Sequence, residues 1–222
     1  MMRDALLVAG KDLRLELRSK VGLAQVLPFA LLVLFLFAFA LDPDRGVLER
    51  ATPGLYWVTV LFSAVLALQR SYGAEAEDGV LDALRLSGMS AAGIYLGKVA
   101  ALTVQLVVLE LVLLGGVIVL YDLELTGLGT LIPVAVAATL GIAGAGGVYG
   151  ALAARLRSRD TMLPVLLLPL LAPVLISATR GFEIGLEREA GGGWSWVALL
   201  TVFAAVYLIL GSFLFRPLLE DA

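Results

Sequence analysis

The chain has 222 residues, 60% hydrophobic and 16% charged, with a formal net charge of −3. A mean hydropathy of +0.98 excludes an ordinary water-soluble domain, and so small a net charge points to neither nucleic acid nor a polyacidic partner. Cysteine and histidine are both absent, which removes disulfides, thiolate metal sites and the commonest haem, zinc and proton-relay ligand, so no metal site and no self-sufficient enzyme is expected.

Met1 to Lys20 carries Arg3, Lys11, Arg14, Arg18 and Lys20 against Asp4, Asp12 and Glu16. Leu6, Gly10, Leu13 and Leu17 recur at helical spacing and predict an amphipathic helix over 4–20, lying in the membrane interface. The plainer reading is a mixed-charge solvated terminus. Val21 to Leu41 contains no ionised residue and is long enough to cross a bilayer. Its Ala38-Phe39-Ala40 resembles a signal-peptidase site, but the apolar run is too long for a signal peptide and further spans follow, so a retained helix is expected. Five more spans are expected at about 53–70, 97–120, 128–154, 162–179 and 194–215. A polar link over Arg180 to Gly193 precedes the last of them.

The fold class expected is therefore an all-α polytopic membrane protein: one domain over 1–222, six transmembrane helices and an interfacial N-terminal helix. An even span count puts both termini on one side. Of the sixteen Lys and Arg residues, twelve fall on the side of the termini and four on the other. The positive-inside rule then places both termini and the long loop Arg70–Lys98 in the cytoplasm. Trp57, Trp194 and Trp196 fall near outer span ends, where indoles favour the headgroup layer.

Arg70–Lys98 is the longest largely polar interruption. It holds Glu75, Glu77, Asp78 and Gly79, then a short amphipathic helix with Leu81 and Leu84 on one face and Asp82 and Arg85 on another. So little apolar face cannot fold alone and must rest on something. The loop's carboxylates disfavour an anionic leaflet, which favours a protein partner over lipid headgroups. Arg155 and Arg157 mark a second, smaller cytoplasmic contact. Gly93-Ile-Tyr-Leu-Gly97-Lys98-Val99 glances toward a phosphate-binding loop, but the glycine spacing is short by one and Val99 stands where a magnesium-holding hydroxyl belongs. Any ATP must be bound by another subunit.

Inside the spans, Gln105 and Glu110 are polar groups at membrane depth, functional candidates by default, with a neutral, hydrogen-bonded Glu110 as the structural alternative. Gly146 and Gly150 form a GxxxG pair suited to close helix packing, within the subunit or across a dimer. Pro164, Pro169 and Pro173 break backbone hydrogen bonds in the fifth span, giving either a bent helix beside a translocation path or a kinked packing helix. Met89 and Met162 flank loops and read as packing residues rather than haem ligands.

Three blocks carry a resemblance. They are Pro53-Gly54-Leu55-Tyr56-Trp57-Val58 running into Leu66-Ala67-Leu68-Gln69-Arg70; Asp78-Gly79-Val80-Leu81-Asp82-Ala83-Leu84 followed by Leu96-Gly97-Lys98-Val99; and Leu168-Pro169-Leu170, Pro173 and Ile176-Ser177-Ala178-Thr179. Together with the topology they resemble ABC-2-type permeases and, more narrowly, the CcmB family of haem exporter subunits. The family often has Glu where Gln69 stands here.

The resemblance implies a permease subunit of an ATP-driven complex for cytochrome c maturation. Its partners would be a cytoplasmic ATPase carrying ATP and magnesium, a haem-handling membrane subunit, a small single-span subunit and a periplasmic haem chaperone. Haem would be cargo of the complex, and two copies of this chain are expected to pair. Glu75, Glu77, Asp78, Gly79, Leu81, Asp82, Leu84, Arg85, Arg155 and Arg157 would couple to the ATPase. The competing readings are an ABC-2 exporter of a lipid, drug or ion, a passive assembly scaffold, and an intramembrane enzyme using Glu110, which lacks a nucleophile or metal ligand beside it.

Overall fold

A bilayer offers backbone groups no hydrogen-bond partner, so apolar chain must close its bonds within helices. The computed structural model describes residues 1–19, 21–41, 45–77, 87–121, 127–153, 159–186 and 193–220, and these are helical almost throughout. Seven helices occur among them: α1 Met2–Ser19, α2 Val21–Leu41, α3 Arg45–Glu77, α4 Ala91–Tyr121, α5 Leu128–Ala153, α6 Arg159–Leu186 and α7 Trp194–Glu220. Five of them, α3 to α7, contain stretches long and apolar enough to cross a membrane. Helix α2 contributes a shorter described apolar stretch, Val26–Leu41.

The helices outrun the apolar stretches that announce them. Helix α3 begins at Arg45, with Pro53 inside it, and continues past Arg70 to Glu77. Helix α4 begins at Ala91, so both ends of the expected loop are helical. Helix α6 carries on through Arg180 to Leu186, where a polar link was expected. Hydropathy marks only the part of a helix that sits in lipid, whereas backbone hydrogen bonding continues until a breaker. Ala74-Glu75-Ala76-Glu77 are good helix formers.

Helix α5 is the centre of the bundle. Its most apolar stretch is 72% buried, against 22% for that of α7, and it touches α3, α4, α6 and α7. Glycines make this possible by presenting bare backbone on three sides. A Cβ on Gly146 or Gly150 would strike Leu68 and Tyr72 of α3, one on Gly147 would strike Tyr95 of α4, and Gly141 lies against Phe203 of α7. The Gly146/Gly150 pair thus packs within the subunit, resolving the choice left open by its spacing. Lipid is as apolar as the protein interior, so close van der Waals approach replaces hydrophobic burial as the force between such helices.

Trp57 is fully buried within the bundle. Its indole meets Phe182 of α6 edge-on at 5.2 Å, while Tyr56 stacks on the same ring at 5.2 Å. On α1 two leucines of the predicted apolar stripe stay exposed on the subunit. Leu6 and Leu17 are exposed, while Val8 is buried. The leucines face outward, as lipid contact requires, and the carboxylate-bearing face meets the protein.

Candidate functional site

The polar side chains of the described residues gather in two places. The first is where α1 lies along the start of α4. Gly88 takes a positive φ of 71° and turns the chain toward α4, and the Asp4 carboxylate accepts hydrogen bonds from the Ser90 hydroxyl at 2.7 Å and the Ser90 amide at 3.1 Å. Two helical turns on, Asp12 pairs with Lys98 at 3.7 Å. The sequence offset is the same for both pairs, so α1 and α4 run parallel in one register. Between the pairs the backbones close up. A Cβ on Gly97 would come within 2.7 Å of the Ala5 carbonyl oxygen, and one on Gly93 within 2.8 Å of the Asp4 Cβ. The glycines of the failed phosphate loop are therefore packing glycines at four-residue spacing.

Lys98 is buried, with a side chain only 3% exposed. Its ammonium stands 4.9 Å from the centre of the Tyr72 ring of α3, a cation–π arrangement. The Tyr72 hydroxyl in turn donates to the Gly147 carbonyl of α5 at 3.0 Å. Asp12, Lys98, Tyr72 and Gly147 thus form a continuous line across α1, α4, α3 and α5. Gln105 lines the same small crevice as Asp12, Lys98 and Tyr72, and the crevice has room for about one water molecule.

The hydrogen bonds from Ser90, hydroxyl first and amide second, hold the Asp4 carboxyl down at about 2, below its ordinary 3.8. A depressed carboxylate contributes stability that is complete above its unfolded value and is lost as the pH falls through its folded value. The α1–α4 contact is therefore expected to be unchanged from pH 7 to 5 and to loosen only between about pH 4 and 2. Hydrogen exchange at the Ser90 amide, corrected for its intrinsic rate, checks this, and Asp4→Asn should show faster exchange already at pH 7.

The second place lies inside the bundle. Glu110 of α4 is only 6% exposed. Its Oε1 lies 2.5 Å from the Thr139 hydroxyl of α5, and its backbone carbonyl accepts from the Tyr56 hydroxyl of α3 at 3.1 Å. Gln105 and Glu110, paired in the sequence reading, thus belong to different sites. Tyr95 places its hydroxyl 3.0 Å from the Gly144 carbonyl and 2.9 Å from that of Tyr207, and Tyr121 donates to the Leu34 carbonyl of α2 at 3.0 Å. Four tyrosines therefore pin neighbouring helices through backbone carbonyls. Sequence reasoning missed them, and missed Asp4, Asp12 and Lys98. All four stand within three residues of an end of the expected spans 53–70 and 97–120, where a tyrosine reads as an ordinary interfacial residue, so the sequence carried no signal for them.

The remaining candidates are placed as follows. Glu75 and Glu77 stand in the last turn of α3. Asp78, Gly79, Leu81, Asp82, Leu84, Arg85, Arg155 and Arg157 lie outside the described residues. Pro169 and Pro173 sit inside a continuous α6, both on its exposed face. The Ser177 hydroxyl donates to the Pro173 carbonyl at 2.7 Å. Among the described residues no cluster of three acidic side chains could hold a metal ion.

The first and third sequence blocks meet at the α3–α6 contact, where Tyr56 and Trp57 pack on Phe182 and Gly54 lies against Thr179. The family described as CcmB protein matches residues 3–220. The chain belongs to the CcmB family. Relatives of this CcmB chain include heme exporter protein B of Haemophilus influenzae, 33% identical over 184 residues that cover 82% of this chain and 83% of the relative. Heme exporter protein B of Escherichia coli is 33% identical over 174 residues, 78% of each chain. That of Bradyrhizobium diazoefficiens is 31% identical over 210 residues, 91% of each. The match embraces α1 and its clamp on α4 as well as the apolar helices.

Proposed function

We propose that this chain is the membrane subunit of an ABC-type haem exporter serving cytochrome c maturation in the bacterial inner membrane, driven by a separate ATPase. The observation that carries the reading is kinship along nearly the whole chain with proteins named heme exporter protein B, on a bundle of apolar helices. Helix α2 counts as the sixth span, and the charge bias puts both termini in the cytoplasm. Residues 75–85 then form the ATPase-docking surface, with Arg155 and Arg157 as a second, smaller contact. ATP and magnesium belong to that partner, and this subunit catalyses no reaction of its own. Two copies pair, alongside a haem-handling membrane subunit, a small single-span subunit and a periplasmic haem chaperone.

The chain lacks His and Cys, so haem is cargo of the complex rather than iron gripped by this subunit. That favours energy-coupled release of the haem-loaded chaperone over haem passage through the helices. The polar line supports a route for the energy. Ser90 ends the segment leading from the docking surface, and Asp4 holds it. A push there moves α1 and α4 together and reaches α5 through Lys98, Tyr72 and Gly147.

Leu84→Asp tests the docking role. The variant is expected to accumulate normally in the membrane and to leave ATP hydrolysis running, while cytochrome c maturation falls to background. Maturation at the normal level in that variant would remove the docking role from residues 75–85.

A further inference from the structure

We infer that Glu110 is a neutral carboxylic acid that donates its proton to Thr139, pinning α4 to α5 inside the membrane without placing a charge there. Proton counting carries the inference. The Thr139 oxygen lies 2.5 Å from Glu110 Oε1 and 2.7 Å from the Ala135 carbonyl oxygen. Both separations are short hydrogen bonds between oxygens, so two protons are needed, and a threonine hydroxyl supplies one. Carbonyl oxygens have none. The second proton therefore sits on the carboxyl.

The direction of the chain follows from the helix itself. Thr52, Thr59, Thr103, Ser177, Thr201 and Ser212 each donate to the carbonyl four residues back, at 2.7 to 2.8 Å. Thr139 does the same to Ala135, which spends its proton and leaves its lone pairs to accept from Glu110. An ionised carboxylate would force the Thr139 proton toward itself, and the Thr139 and Ala135 oxygens would then face each other at 2.7 Å with no proton between them. No lysine or arginine pairs with Glu110 among the described residues, so nothing there offsets a buried charge. The Tyr56 hydroxyl is turned to the Glu110 backbone carbonyl, which fastens α3 to the same point.

The inference goes beyond the exporter reading and does not depend on it. It removes the intramembrane carboxylate from the groups that could hold a cation or a positively charged cargo. Infrared spectroscopy of the intact complex in lipid nanodiscs at neutral pH tests it. The wild-type minus Glu110→Gln difference should contain the C=O stretch of a protonated carboxyl, and Thr139→Val should shift that band as the acid loses its acceptor. A difference that contains only carboxylate bands overturns the proposal. Gln keeps an N–H donor toward Thr139, so Glu110→Gln is also expected to accumulate normally.

Discussion

Gly150→Leu is expected to prevent the bundle from assembling, and Gly150→Ala to weaken it by about 1–3 kcal/mol, the usual range for forcing extra methylenes into a packed site. A Cβ at this position would stand 2.5 Å from Cδ2 and Cε2 of Tyr72. The ring has no room to retreat. It is 3% exposed, its hydroxyl is tied to the Gly147 carbonyl and the Lys98 ammonium stands over its face. Displacing it sacrifices an interhelical hydrogen bond worth roughly 0.6–2 kcal/mol in a membrane protein, together with the cation–π contact. Leucine adds three more carbons to the same collision. Thermal unfolding in detergent reads the alanine variant, and the amount of chain recovered from membranes reads the leucine variant. Gly115→Ala is the control, since nothing lies within 4 Å of its added Cβ, and it should be neutral or slightly stabilising. Gly115 lies in α4, and equal effects at the two glycines would show that helix propensity, not close packing, sets the cost at Gly150.

Asp12→Ala is the second large effect, expected to cost about 3 kcal/mol, the lower end of the range for removing one partner of a buried pair. The lower end applies because the Lys98–Asp12 separation of 3.7 Å is long and Tyr72 also faces the ammonium. Lys98→Ala should cost less, since Asp12 keeps Lys11 at 2.9 Å on the more exposed side. Replacing both members, Asp12→Ala with Lys98→Ala, should recover part of the loss, because no buried ammonium then stands beside the missing carboxylate. A double variant as unstable as Asp12→Ala alone would mean that the pair is incidental to the α1–α4 contact. Unfolding midpoints of the four proteins close the cycle.

Much of this architecture is legible in the chain. Apolar runs mark the spanning helices, since a bilayer admits only backbone that satisfies itself. Glu110 stands out as a carboxylate in an apolar run, and the glycines of α5 announce close approach before any neighbour is known. The misreadings are equally physical. Arg180 to Gly193 reads as a polar link because hydropathy marks only the apolar part of a helix, and α6 runs on to Leu186. Gly93 and Gly97 read as a failed nucleotide loop because the lysine after them draws the eye to phosphate. Their real partner, α1, lies some 86 residues away in sequence.

What the sequence determined by itself is the class: an all-helical membrane chain of the CcmB family, with one charged face on α1 and one carboxyl at depth. Tertiary structure alone decided which faces meet. In water a helix declares its buried side by amphipathic spacing, but in lipid the outward side is as apolar as the inward one. Helices α4 and α5 are apolar nearly all round, so their contacts leave almost no periodic trace. The matches that orient them are single ones, a glycine against a tyrosine ring, a hydroxyl against a backbone carbonyl, Asp12 against Lys98. Each depends on two distant segments arriving in register, which no one segment encodes.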